Sequence, residues 1–257
     1  MNSIVLITDF GSDSPYVAEM KGAILSINND VRIVDGTHSV PPQNVDHGAY
    51  VLQKLSFAFP AHTVFVVVVD PGVGTARSIL LVENQNRIFV APDNGILSHL
   101  FDKGTVRIVD QTEFWRDTVS STFHGRDIMG PVAAHLSSGI PMTNVSSPMK
   151  EEPYRRELRD PKFESSKIVG EVVFVDSFGN LITNISAKML GQNIKDLTVE
   201  FANHSLPINT TYGEVGAHAP IALVGSNSHL EIAIVNGNAS EFFAASVSDT
   251  VRVRKTE

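Results

Sequence analysis

The fold of this chain follows from one stretch, Phe65-Val-Val-Val-Val-Asp-Pro-Gly-Val-Gly-Thr-Ala-Arg77. Four consecutive valines leave no polar face for water, so the run predicts a central strand that is buried on both sides. The run ends at Asp70, and a proline and two glycines form a tight turn before Arg77. Open α/β sheets bind ligands at the carboxyl ends of their strands. Asp70 is therefore a candidate site residue, although an aspartate here could simply cap its own turn.

Strand and helix patterns alternate around this stretch and predict an α/β domain over residues 1–147. The order strand, helix, strand, helix, strand favours a mostly parallel sheet with right-handed crossovers. A β-pair and a further helix follow the central strand. The predicted strands are 4–8, 31–35, 63–69, 78–82 and 87–90, and the predicted helices are 16–27, 44–57 and 127–139.

The composition changes after this domain. Residues 148–167 are charged and contain proline, which is typical of a linker. Residues 168–257 contain short apolar runs separated by turn residues, and this pattern predicts a small all-β domain, either a barrel or a sandwich.

Composition and charge exclude several classes of protein. The 257 residues are 42% hydrophobic and 19% charged, enough apolar content for a folded core. The net charge is −8 without a basic run, so neither nucleic acid nor a membrane surface is an expected partner. There is no cysteine, which removes disulfides and thiolate chemistry. The chain opens directly on a predicted strand and has no spanning run, so we expect a cytoplasmic protein.

Three of the predicted strands end in an acid: Asp9, Asp35 and Asp70. In a parallel sheet these ends share one edge, so we expect the three carboxylates to converge there. Such a group could hold a divalent metal. However, the sequence lacks a convincing cluster of histidines or glutamates at ligand spacing, and we expect no metal site.

His124 precedes the predicted helix 127–139. The positive end of a helix disfavours imidazolium, so we expect His124 to be neutral. An isolated histidine of this kind is often a buried structural residue. Asp70 and Arg77, which are capable of acid–base chemistry, favour a functional role for His124 instead.

In the second domain, Asp176-Ser-Phe-Gly-Asn180 predicts a turn that carries an acid, an aromatic ring and an amide. A simple hairpin is one interpretation, since Gly-Asn is a good turn pair. The same groups could also stack on and hydrogen-bond a heterocycle. The segments Asn227-Ser228 and Asn236–Ala239 offer further amides beside one predicted strand.

Six motifs in a fixed order resemble the S-adenosyl-L-methionine hydroxide adenosyltransferases, also called adenosine-forming S-adenosylmethionine hydrolases. These enzymes are relatives of the fluorinase and the chlorinase. The resemblance covers nearly the whole chain and departs from the family pattern at Gly36 and Ser39. Its motifs are Ile7-Thr-Asp-Phe-Gly11, Asp35-Gly-Thr-His38, Val69-Asp-Pro-Gly-Val-Gly-Thr75, Ala91-Pro-Asp-Asn-Gly95, Thr122-Phe-His-Gly-Arg-Asp127 and Asp176-Ser-Phe-Gly-Asn180.

The resemblance implies a homotrimer in which an N-terminal α/β domain is followed by a C-terminal β-barrel domain. It places each site between the N-terminal domain of one subunit and the C-terminal domain of its neighbour. The implied catalytic set is Asp70, Arg77 and His124, and Asp9 is the implied ribose-binding acid. Further substrate contacts are implied for Asn94, Asp176, Phe178, Asn180, Ser228 and Ala239.

The implied reaction is hydrolysis of S-adenosyl-L-methionine to adenosine and L-methionine, without a cofactor. Two alternatives stay open: a halide-using adenosyltransferase that makes 5′-halo-5′-deoxyadenosine, and a non-catalytic adenosine- or S-adenosylmethionine-binding protein. The resemblance implies that halogenases lack the Asp-Arg-His set, and mere binding would not need it. The presence of Asp70, Arg77 and His124 therefore favours the hydrolase.

Overall fold

The computed structural model describes residues 3–157 and 160–256. The chain divides into two compact units, Met1–Arg156 and Glu157–Glu257. Their boundary falls inside the predicted linker 148–167, whose limits stay a prediction. Within the predicted domains and linker, residues 1, 2, 158, 159 and 257 lie outside the described residues. In the part of the chain that is described, no helix is long and apolar enough to cross a bilayer.

Within its described residues, the first unit contains a seven-stranded sheet and four α-helices. Its strands are β1 (Ser3–Thr8), β2 (Arg32–Thr37), β3 (Val64–Val68), β4 (Ile79–Asn84), β5 (Arg87–Pro92), β6 (Thr105–Ile108) and β7 (Ser147–Pro148). Its helices are α1 (Tyr16–Leu25), α2 (Val45–Ala58), α3 (Gly130–Ser137) and α4 (Met142–Val145).

The sheet of the first unit is mixed, so the prediction of a mostly parallel sheet is wrong. The strand order is β2-β1-β3-β5-β4-β6-β7. Strands β2, β1, β3 and β5 run parallel, whereas β4, β6 and β7 add antiparallel pairs. The cause is the β4–β5 hairpin, whose turn residues Gln85 and Asn86 have φ values of 49° and 58°. A turn with two left-handed residues reverses the chain at once, so the predicted β-pair joins the sheet with its strands opposed.

Strand β3 is buried on both faces, as its run of valines predicts. Val66 and Val68 lie in one apolar cluster with residues of α1 and α3. Phe65 and Val67 lie in a second cluster with residues of α2. Because side chains alternate along a strand, the one segment serves both layers of the core.

The second unit is a closed barrel of seven strands, which confirms the barrel domain that the resemblance implies. The strand order is β10-β14-β13-β12-β11-β15-β9, and pairing of β9 with β10 closes the ring, while β8 adds to one end of β9. Its strands are β8 (Lys162–Glu164), β9 (Lys167–Val175), β10 (Leu181–Ser186), β11 (Leu197–Phe201), β12 (His204–Asn209), β13 (Pro220–Val224), β14 (His229–Ile234) and β15 (Thr250–Lys255), and its short helices are α5 (Ala187–Leu190) and α6 (Ala239–Phe242).

The double burial of β3 predicts a large stability difference between two phenylalanines. Phe65 is 0% exposed and stacks on Phe89 with ring centroids 5.1 Å apart, whereas Phe57 of α2 is 69% exposed. We expect Phe65→Ala to lower the free energy of unfolding of the first unit by about 3–5 kcal/mol and Phe57→Ala by about 0.5 kcal/mol or less. Urea unfolding followed by the fluorescence of Trp115, the only tryptophan, reports on this unit. Equal losses in the two variants would contradict the assignment of β3 as the core strand.

Candidate active site

The loop after β3 is fixed by contacts from two other segments. The side-chain amide of Asn94 donates to the carbonyl oxygen of Val69 at 2.8 Å, directly before Asp70. Gly74 has a φ of 80°, and a Cβ there would lie 2.5 Å from the carbonyl oxygen of Ser121. Only glycine tolerates both the left-handed backbone and this close approach. The segment around Ser121 is therefore packed against the loop that follows Asp70.

Asp70 and Arg77 form a buried, two-pronged ion pair. Nε of Arg77 donates to Oδ1 of Asp70 at 2.7 Å, and Nη2 of Arg77 donates to Oδ2. The side chains of Asp70 and Arg77 are only 5% and 10% exposed. A forked guanidinium–carboxylate contact fixes both position and orientation, so the carboxylate is held in one pose.

His124 completes the cluster. Nη2 of Arg77 lies 3.1 Å from Nδ1 of His124. Because arginine has no acceptor, Nδ1 must accept this hydrogen bond, and the proton of the neutral ring is on Nε2. Burial and the charge of Arg77 lower the pKa of His124, while Asp70 and Asp127 act in the opposite direction. The His124 ring is therefore neutral, as expected, mainly because of burial and the charge of Arg77.

The helix after His124 differs from the one that the sequence predicts. Residues Gly125–Met129 form a π-helical turn, and α3 begins only at Gly130. Gly139 ends the helix in a left-handed conformation with a φ of 92°. A π turn inserts one extra residue into the spiral and is frequent at functional sites.

Asp9 lies at the same edge of the sheet as Asp70. Thr8 pairs with Val68 across the parallel strands β1 and β3, so both acids follow neighbouring strand ends. Oδ2 of Asp9 accepts from the backbone N–H of Gln43 at 2.8 Å. Gln43 has a φ of 64°, a left-handed backbone that costs energy in a non-glycine residue and aims its N–H at the carboxylate.

Asp35 does not join this edge, so the prediction of three converging acids is wrong. Asp35 pairs with Leu6 inside the sheet, because β2 continues to Thr37. Its carboxylate accepts from Lys21 at 2.7 Å and lies 3.0 Å from Nε2 of His38. Asp35 is thus used within the fold.

In the second unit, Asp176 organises the predicted turn between β9 and β10. Oδ1 of Asp176 accepts from the backbone N–H groups of Phe178 and Asn180, both at 2.9 Å, and Oδ2 accepts from the Asn180 amide at 3.1 Å. The ring of Phe178 is left 74% exposed. The turn is therefore a hairpin, and it also carries an acid, an aromatic ring and an amide, so the two interpretations of the sequence are compatible.

Ala239 is brought to the same turn. The backbone N–H of Ser240 donates to the carbonyl oxygen of Gly179 at 2.9 Å, and Asn238 packs against Gly179. Ala239 is 0% exposed, so only its backbone could contact a ligand. Ser228 lies in another turn, between β13 and β14, and no hydrogen bond among the described residues joins it to the Asp176 turn.

Sequence reasoning missed two buried acids beside these groups. Glu231 of β14 is 7% exposed and accepts from the Tyr212 hydroxyl. Burial raises the pKa of Glu231, and the charge of Asp176 acts in the same direction. Asp127 is 0% exposed. Glu231 is a single acid within an apolar run, and Asp127 directly precedes one; these were the available signals.

Among the described residues, no group of three or more histidine, aspartate or glutamate side chains is arranged to hold a metal ion.

Family models match both halves of the chain. The model described as SAM hydroxide adenosyltransferase N-terminal domain matches residues 4–146, and the model of the corresponding C-terminal domain matches residues 170–252.

Relatives match the chain over almost its full length. An (R)-S-adenosyl-L-methionine hydrolase from Thermus thermophilus is 34% identical, over 94% of this chain and 95% of the relative. A fluorinase from Actinopolyspora mzabensis is 28% identical, over 98% of this chain and 96% of the relative. The crystal structure of a conserved Thermotoga maritima protein superposes with a TM-score of 0.92 at 35% identity, covering 98% of this chain and 100% of that chain. This chain therefore belongs to the SAM hydroxide adenosyltransferase family.

Proposed function

We propose that this protein hydrolyses S-adenosyl-L-methionine, in the (R) form named for its hydrolase relatives, to adenosine and L-methionine. The observation that carries the proposal is the buried cluster of Asp70, Arg77 and His124 at the carboxyl end of β3. Its relatives named as hydrolases are also more similar to this chain than the fluorinase is, at 34% against 28% identity.

The chemistry of the substrate explains why so few groups suffice. The sulfonium leaves as a neutral thioether, so the leaving group needs no proton. Water forms the new O–C5′ bond, the S–C5′ bond breaks, and one proton is released. The enzyme therefore needs to hold a water molecule in line with C5′ and to receive its proton.

Each member of the cluster has a role that follows from its contacts. Asp70 is the acceptor for one hydrogen of the attacking water. Arg77 orients Asp70 through its two hydrogen bonds. His124, protonated at Nε2, donates to the oxygen of the same water, which leaves one lone pair for attack on C5′.

The same cluster disfavours a halide as the nucleophile. Two like unit charges about 4 Å apart repel by about 4 kcal/mol at an effective dielectric constant near 20. The positive charge that could offset this belongs to Arg77, which is already paired with Asp70. Water, which is neutral, avoids this repulsion.

Substrate recognition is divided between the two units. Asp9, oriented by Gln43, takes the ribose hydroxyls. The exposed ring of Phe178, the Asn180 amide and the backbone of Ala239 take the adenine, and Asp176 and Ser228 contact the methionine part. Asn94 acts by holding the β3 end, since its amide donates to Val69.

We further propose a homotrimer whose sites each combine the first unit of one copy with the second unit of another. Its support is the family membership and the division of the candidate groups between the two units. The strong exposure of Phe178 in a single copy is consistent with a ring that is covered on assembly and substrate binding.

The first prediction concerns the product. With S-adenosyl-L-methionine in water labelled with oxygen-18, we expect the label in the 5′-hydroxyl of adenosine, even in molar chloride. Asp70→Ala should remove most of this activity and retain substrate binding, since Asp70 contacts the water and not the substrate. Chromatography with mass spectrometry identifies the products. Accumulation of 5′-chloro-5′-deoxyadenosine by the wild-type protein would refute the hydrolase assignment.

The second prediction concerns pH. Protonation of His124 would remove the acceptor at Nδ1 and place a second cation beside Arg77. Because the pKa of His124 is lowered, kcat/KM should stay constant down to about pH 6.5, the ordinary histidine value, and fall only below it. The pH–rate profile measures this, and proton NMR of the nine histidines, assigned with His124→Gln, follows the ring itself. A His124 midpoint at or above 6.5 would contradict it.

The third prediction tests the shared site by mixing subunits. Asp70→Ala and Phe178→Ala should each be inactive or nearly so when expressed alone. If every site draws one unit from each of two copies, co-expression should restore about a quarter of the wild-type sites. Sites built within a single copy would give no recovery, because neither variant chain carries both groups. Phe163→Ala, another exposed phenylalanine of the second unit, is the control for Phe178→Ala and should keep full activity.

A further inference from the structure

The two residues that follow Gly125, the glycine after His124, form an unusual ion pair. Nε and Nη2 of Arg126 donate to the two carboxylate oxygens of its neighbour Asp127 at 2.7 and 3.0 Å. On a regular α-helix, adjacent side chains point in different directions and do not face each other. Here the pair lies in the π turn Gly125–Met129, whose wider spiral accommodates the contact.

Helix α1 holds Arg126 from the other side. Nη1 of Arg126 donates to Oε2 of Glu19 at 2.6 Å. The Arg126 guanidinium also lies over the ring of Phe123, 4.7 Å from its centroid. Phe123 in turn packs edge-on against Phe10 and Tyr16, at 5.5 Å in each case. Phe123 and Arg126, on either side of His124, are thus both tied to α1, and Phe123 also contacts Phe10 beside Asp9.

Asp127 is the charge that Arg126 neutralises. Its side chain is 0% exposed, and the backbone N–H of Ser120 donates to it at 2.8 Å. Arg116 also reaches Asp127, but by one contact of 3.3 Å from a side chain that is 49% exposed. Arg126 is therefore the main counter-charge of a buried carboxylate three residues after His124.

These contacts define the charged surroundings of His124. The groups that face it directly or through one partner are Asp70 and Arg77 from the β3 loop, Asp127 and Arg126 from the π turn, Arg116 from the preceding segment, and Glu19 and Tyr16 from α1.

We propose that Arg126 is a positioning residue of the proposed hydrolysis, which cancels the charge of Asp127 and so keeps His124 neutral and donating through Nε2. The proposal rests on the function proposed above. Arg126 itself contacts neither the water nor the cluster of Asp70 and Arg77.

The electrostatic balance around the two acids supports this role. Burial opposes ionisation of Asp127, yet hydrogen bonds from Arg126 and Ser120 outweigh it and lower the pKa of Asp127. Asp127 is therefore an anion, and its charge raises the pKa of His124 against the effects of burial and Arg77. Without Arg126, Asp127 would keep its hydrogen bonds from Ser120 and Arg116 and stay ionised, so its charge would be less compensated and His124 would take up a proton at higher pH.

The test compares variants that remove or retain the charge of Arg126. Arg126→Gln removes it, whereas Arg126→Lys retains it but loses the forked geometry. Arg116→Gln is the matched control, because it removes an exposed arginine from the same carboxylate. Two readouts are measured for each variant: the pH profile of adenosine formation as kcat/KM, and the NMR titration of His124 in the protein without substrate.

We expect Arg126→Gln to move both midpoints upward by about half to one pH unit, the effect of one unit charge at moderate distance in a partly screened site. Arg126→Lys and Arg116→Gln should leave both midpoints within about a fifth of a unit of wild type. A merely structural role would lower the activity of Arg126→Gln without moving either midpoint. That result would overturn the proposal.

The double variant Arg126→Gln/Asp127→Asn provides a test in case Arg126→Gln alone does not fold. It leaves no unpaired buried charge, and it should return the His124 midpoint to or below the wild-type value. A midpoint that stayed raised in the double variant would also overturn the proposal. The NMR titration does not require turnover. If the wild-type protein forms no adenosine but Arg126→Gln still raises the His124 midpoint, the proposed hydrolysis is disproved and the effect of Arg126 on His124 stands.

Discussion

The structure of the first unit depends on the burial of β3 between two apolar layers. Val66 and Val68 serve the layer of α1 and α3, and Phe65 and Val67 serve the layer of α2. A strand of this kind cannot carry a charge along its length, because neither face reaches water. The first polar side chain after β3 is Asp70, two residues beyond its end, and the burial of β3 therefore decides where the chemistry can begin.

A carboxylate at that place is still largely buried, so it needs a partner. Arg77 supplies one within the same loop, seven residues further on, and then has a hydrogen left for His124. Removing one member of such a group would leave the others desolvated and uncompensated, which costs more than the intact group contributes. The cluster is thus a consequence of the fold as well as a candidate catalyst.

The sequence predicts those features that depend on local pattern. The valine run identifies β3, and the short apolar runs after residue 168 identify an all-β unit. The motif containing His124 identifies a residue that the structure places against Arg77. In each case a residue type and its immediate neighbours carry the information.

The features that the sequence does not reveal depend on contacts between distant segments. The sheet is mixed because the hairpin of β4 and β5 docks on β3, and periodicity does not report which edge a hairpin chooses. Asp35 pairs with Leu6 inside the sheet, and its carboxylate accepts from Lys21, a residue of α1. Glu231 accepts a hydrogen bond from Tyr212, which is nineteen residues away in the sequence. A π turn adds one residue to a helix without any change in composition that would mark it.

The mixed sheet also has a consequence for the order of folding. The β4–β5 pair closes on a two-residue turn, a local event of the kind that takes about 1–10 μs. The pairing of β1 with β3 instead joins residues such as Val5 and Phe65, with two helix-containing connections to be closed between them. Such non-local pairing loses more chain entropy before contacts compensate and is intrinsically slow. We therefore expect the half of the sheet that carries Asp9 and Asp70 to assemble after the β4–β5 hairpin.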